Sequence, residues 1–99
     1  MTTYLEARRI ALKHYETTYA SIEGGIVLLE DKTIETSYGW VFFCNTRVFL
    51  ETRKLRTALL SNAPVLVEAK NGQVHSLGTS RSIEKTLQDF ERQHGYTSK

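Results

Sequence analysis

Residues 65–78, VLVEAKNGQVHSLG, constrain the fold of this chain more than any other stretch. Two apolar-alternating segments flank Asn71-Gly72, a pair that tolerates the positive φ angles of a tight hairpin turn. A hairpin sets its two strands antiparallel. The remaining connections are too short for the crossovers that parallel strands demand, so the rest of the sheet is expected to be antiparallel as well.

Helices are expected at both ends. Thr3 and Glu6 have the spacing of a capping box, in which each side chain satisfies a backbone N–H of the other's residue, so a helix begins near Tyr4. Ala7, Ile10, Ala11, His14 and Tyr15 then share one side until SIEGG stops the helix near Ala20. Ile83, Leu87, Phe90 and His94 mark a second amphipathic helix, capped by Ser80 or Ser82 and ended by Gly95; the tail YTSK is expected to fray.

Between the helices, IVLLEDKTIET suits a strand with EDK as a turn or bulge inside it, and the next strand runs from about Gly39 to Asn45. RVFLE is expected to continue as a short edge segment. TRKLRTALLSNA reads as a loop holding one helical turn around Leu55, Leu59 and Leu60, and Pro64 opens a strand where a missing N–H costs little. The expected architecture is a single α+β domain over residues 1–99, an antiparallel four- to five-stranded sheet with the N-terminal and C-terminal helices packed on one face. Ninety-nine residues suffice for one such core, which should bury roughly 60 to 70% of the unfolded surface.

Alternation puts Tyr38, Trp40, Phe42 and Cys44 on one face, with Trp40, Phe42 and Cys44 expected beneath the helices, and Val41 and Phe43 on the other. That second face is either covered by a helix or loop, or serves as a binding or self-association surface, as in a homodimer.

Composition excludes several functions. Thirteen basic against 11 acidic residues give a net charge of +2, too balanced to advertise nucleic acid or an anionic membrane. Arg53, Lys54 and Arg56 are the only tight basic group. One cysteine cannot form an internal disulfide, and charges at Glu6, Arg8, Arg9 and Lys13 interrupt any signal-like apolar run. No window approaches the ~20 apolar residues of a membrane span. A cytoplasmic protein is expected.

The residues for chemistry are sparse. Cys44 and His75 are the only pair suggesting a nucleophile and base, and no third group is placed by motif to orient the histidine. His14, His75 and His94 lack the spacing of metal ligands, and Gly24-Gly25 precedes a strand where a phosphate loop would precede a helix. Glu30 with Asp31, and Glu35 nearby, read as solvated acids. No cofactor, metal or enzyme activity is expected.

GWVFF at 39–43, FLET at 49–52, NAP at 62–64 and NGQVHSLGT at 71–79, followed by the amphipathic helix, resemble in order and spacing the immunity protein 35 family, also described as YrhB-like domains. The resemblance implies a small bacterial α+β protein that protects its own cell by binding and occluding a cognate toxin. A chaperone-like protein that binds unfolded clients is the alternative it carries. Two positions depart from the pattern: Arg53 stands where relatives often have Gly, and Ser61 where they tend to have Gly. Glycine at either place suits a positive φ angle. Loops that vary on a shared scaffold carry specificity, which places Arg53, Lys54, Arg56 and Ser61 in the contact region. Glu30, Asp31 and Glu35 with the aromatics Tyr38 and Phe43 complete the expected toxin-binding set; acids suit a toxin whose own site is basic.

Overall fold

The computed structural model describes residues 1–54, 63–79 and 81–96. The expected helical turn at Leu55–Leu60, the loop at Ser61, the Ser80 cap and the contact residue Arg56 lie outside them.

Helix α1, Tyr4–Thr18, starts where the capping box predicts: Glu6 N–H donates to Thr3 Oγ1 at 3.2 Å and Thr3 N–H donates to Glu6 Oε1 at 3.0 Å. It is followed by β1 (Ile26–Leu28), a 3-10 turn (Glu30–Lys32), β2 (Ile34–Thr36), β3 (Gly39–Phe42) and β4 (Cys44–Thr46). Helix α2 (Arg47–Thr52), β5 (Val65–Glu68), β6 (Val74–Ser76) and helix α3 (Ile83–His94) complete the order. The class is α+β, as expected. All strand pairs are antiparallel, in a two-stranded sheet β1-β4 and a four-stranded sheet β2-β3-β5-β6.

The two sheets are parts of one long hairpin. Leu28 pairs with Cys44 and Ile34 with Val41, so five residues, 29–33, face only two, 42–43. The surplus is taken up by the 3-10 turn at EDK, the interruption expected there. Leu29 N–H still reaches Phe43 O at 2.8 Å, which keeps the strands in step across the insert.

The Asn71-Gly72 hairpin forms with a wider loop than a two-residue turn. Glu68 N–H bonds to Gln73 O at 3.0 Å, leaving residues 69–72 as the loop. Gly72 alone takes the positive φ, +71°, while Asn71 Oδ1 accepts from Gln73 N–H at 2.9 Å.

The helices do not share a face of the sheet, which corrects the expected packing. Ala7, Ala11 and Tyr15 of α1 pack with Phe42, Val65 and Val67 on one side, and Phe90 of α3 packs with Tyr38, Val41 and Leu66 on the other. The reason lies in β3 and β5. WVF and VLV are apolar at consecutive positions, and a strand that is apolar on both faces must be covered on both. Helix α3 is therefore the cover that the Val41–Phe43 face required. Tyr38 moves to that side as well, because it sits in the turn before β3, beyond the reach of strand alternation.

RVFLE is also corrected, from an edge segment to helix α2. Thr46 Oγ1 accepts from Phe49 N–H at 2.9 Å, an N-cap that overrides the strand preference of Val48 and Phe49. The helix ends at Arg53 with φ +58°, the only positive φ of a non-glycine residue among those described. An L-residue in this region costs about 1 to 2 kcal/mol, partly offset at Arg53 by stacking of its guanidinium 5.6 Å from the Phe49 ring centroid. Arg53→Gly should therefore raise stability by about 0.5 to 1 kcal/mol in urea unfolding. A loss would mean that the Phe49 contact outweighs the backbone strain.

Candidate functional site

The capping box fixes Tyr4 at the first position of α1, where its ring meets two side chains of β3. It stacks on Phe42 at 6.0 Å and meets Trp40 nearly edge-on, at 6.0 Å and 65°. On the neighbouring strand, Glu35 is the direct partner of Trp40, which puts both side chains on one face. The β2–β3 turn holds that register: Thr36 Oγ1 donates to Gly39 O at 2.9 Å and accepts from Tyr38 N–H at 3.2 Å. Tyr4, Thr33, Glu35 and Trp40 line a cleft of about 370 Å³.

The 3-10 turn separates this cleft from a larger one of about 500 Å³, lined by Leu28, Glu30, Asp31, Phe49 and Arg53 among others. Arg8 Nη2 donates to Glu30 Oε2 at 2.7 Å, and that hydrogen bond holds the Glu30 carboxyl below its ordinary pKa. Tyr4 OH lies 3.5 Å from Glu30 Oε1, so one carboxylate links the two clefts. Asp31 and Glu35 are exposed and make no ion pair among the described residues.

The expected contact residues therefore divide. Glu30, Asp31 and Arg53 meet around the larger cleft, and Glu35 lies in the adjoining one. Lys54 is exposed just beyond α2. Tyr38 is only 6% exposed and lies on the α3 side, where its hydroxyl donates to Glu91 Oε2 at 2.7 Å. Phe43 is half-buried on that side too, in a separate apolar cleft with Leu29, Pro64 and Ile83. From the sequence, Tyr4 reads as a helix start and Trp40 as a core residue. The turn at Ser37-Tyr38 sets position 35 opposite 40, a local signal for Trp40, while Tyr4 arrives from α1.

A second polar group sits under α3. Glu68, only 2% exposed, accepts from His75 Nε2 at 2.7 Å and from the Tyr96 hydroxyl. Burial pushes its carboxyl up, but the Tyr96 and His75 hydrogen bonds, aided by the charges of His75 and Lys70, hold it below the ordinary value. Tyr96 also stacks on Tyr38 at 4.5 Å, so the expected frayed tail is docked at least to this residue.

Cys44 packs with the α1 core while His75 meets Phe90 and His94 of α3, so the fold does not assemble that pair. Among the described residues no group of three His, Cys, Asp or Glu side chains could hold a metal ion, and no helix is long and apolar enough to cross a membrane.

An antiparallel sheet covered by a helix on each face, with two adjoining clefts at a turn inserted in one hairpin, defines a small α+β domain with an open acidic and aromatic rim. The family model described as Immunity protein 35 matches residues 5–92, and the chain belongs to that family. A protein of Escherichia coli strain K12, described as uncharacterized protein YrhB, is 44% identical over 55 residues, 56% of this chain and 58% of that protein. The chain thus matches little more than half the length of that relative. No solved structure matches.

Proposed function

We propose that this protein is a cytoplasmic immunity protein that binds a cognate toxin and neutralises it by occlusion, using the rim around the 3-10 turn. Membership of the immunity protein 35 family carries the reading. The geometry supports the location: Glu30, Asp31 and Glu35 with Tyr4 and Trp40 form a continuous border of two open clefts, on a turn that contributes little to either core. A chaperone for unfolded clients would need a broad apolar surface, whereas the exposed large hydrophobics among the described residues are Met1 and Leu5. That favours a folded partner.

Co-expression with a toxin domain encoded beside it should restore growth, and co-expression with unrelated toxins should not. Asp31→Lys combined with Glu35→Lys should weaken toxin binding at least about tenfold, through two like-charge contacts in place of complementary ones. Rescue that is unchanged in this variant would remove the rim from the interface. Equal suppression of aggregation in unrelated proteins would favour the chaperone reading.

A further inference from the structure

We propose that the cleft between Tyr4, Trp40 and Glu35 is a cation-accepting subsite that takes one lysine or arginine side chain of the partner protein. The proposal rests on the immunity reading for the partner and on the cleft itself for the chemistry. The Tyr4 and Trp40 rings meet edge to face, with centroids 6.0 Å apart and an inclination of 65°, and the Glu35 carboxylate stands on the same face of the sheet as Trp40. Aromatic faces attract ammonium and guanidinium groups within about 6 Å, and a nearby carboxylate adds a charge-assisted hydrogen bond.

The rings are held in place before any ligand arrives. Tyr4 is fixed by the capping box and by stacking on Phe42, and Trp40 by pairing with Val67 on one side and Glu35 on the other. No cation of the described residues neutralises Glu35; Arg8 is engaged by Glu30, and Lys32 borders the larger cleft. Thr33 Oγ1, in the wall of the same cleft, is the one buried side-chain polar atom among the described residues with no hydrogen-bond partner. The site therefore has aromatic walls and a carboxylate with no ion-pair partner among the described residues, which together complement a basic side chain.

Trp40 is the only tryptophan of the chain, so its fluorescence and its indole N–H resonance report on this cleft alone. The probes are N-acetyl-arginine methylamide, N-acetyl-lysine methylamide and the neutral isostere N-acetyl-citrulline methylamide. The two cationic amides should shift the Trp40 signals saturably, with millimolar affinity, and citrulline should not. Glu35→Gln should weaken the cationic amides about three- to tenfold while leaving the far-ultraviolet spectrum unchanged. Trp40→Phe, followed through the Glu35 and Thr33 amide resonances, should weaken them by a similar factor.

Equal binding of citrulline, or no change on Glu35→Gln, would overturn the proposal. Tighter binding of choline than of either amide would overturn the assignment to a protein side chain. Against the toxin, Glu35→Gln should raise the Kd by the same factor. An unchanged Kd would overturn the subsite and leave the immunity reading standing. Failure of the wild-type protein to bind the toxin, with the amide titration positive, would overturn the immunity reading instead.

Discussion

Gly39→Ala should be the most damaging single-methyl change in this protein, costing about 3 kcal/mol, a large share of the roughly 5 to 15 kcal/mol that stabilises a domain. Gly39 opens β3 and pairs with Glu68 of β5. A Cβ on it would stand 2.2 Å from the Val67 carbonyl oxygen and 3.1 Å from the Glu68 Cα. Both obstacles are backbone, so no rotamer relieves the clash. The two central strands would have to part where they carry both cores, since Val41 and Leu66 face α3 while Phe42, Val65 and Val67 face α1. Urea unfolding of the variant should show a midpoint lowered in proportion at unchanged slope. A variant as stable as the wild type would mean that β3 and β5 are not in this register.

Glu68 should set the acid limit of stability. Its carboxyl titrates below the ordinary value of 4.5 in the folded protein, so the unfolded chain binds its proton at a higher pH than the folded one. The stabilisation is thus fully present above about pH 4.5 and is lost as pH falls through the lower folded value. Glu68→Gln removes that dependence. It should cost about 1 to 2 kcal/mol at pH 7, because the amide cannot accept from both His75 and Tyr96 as the carboxylate does. Below pH 4 the gap between variant and wild type should narrow. Stability curves that run parallel from pH 7 to pH 3 would show that Glu68 is not the group responsible. Because Tyr96 links Glu68 to the end of α3, hydrogen exchange in α3 should rise before exchange in α1 as the pH is lowered.

What could be read in the sequence was what neighbouring residues decide among themselves. Thr3 with Glu6, Ser82 before Ile83, and Gly95 after His94 each satisfy or terminate a helix through contacts of one to four positions, and all three stand where expected. The Asn71-Gly72 hairpin and the EDK interruption are equally local. The side of the sheet that each helix takes is not. Apolar runs in β3 and β5 announced burial on both faces, yet which helix covers which face depends on packing between segments some fifty residues apart, such as Tyr38 with Phe90. Helix α2 was hidden by β-branched and aromatic residues, whose strand preference yields to one capping threonine.

The site was legible by half. Charge placed Glu30, Asp31, Glu35 and Arg53 at the surface, and they are there. Phe43 shares the side of Val41, as alternation implies, whereas Tyr38 is buried there because aromatic content near a strand does not tell which side a neighbouring helix will close. Tyr4 and Trp40, the rings left open to a cleft, come from elements 36 positions apart in sequence, and only the register of β2 on β3 unites them with Glu35.

The turn inserted between β1 and β2 has its flanking pairs locked on both sides, Leu28 with Cys44 before it and Ile34 with Val41 after it. Its length and composition are therefore decoupled from the register of the hairpin that carries it. Residues 29–33 behave as a cassette: a graft of different sequence there would redraw the rim while both hydrophobic layers keep their packing.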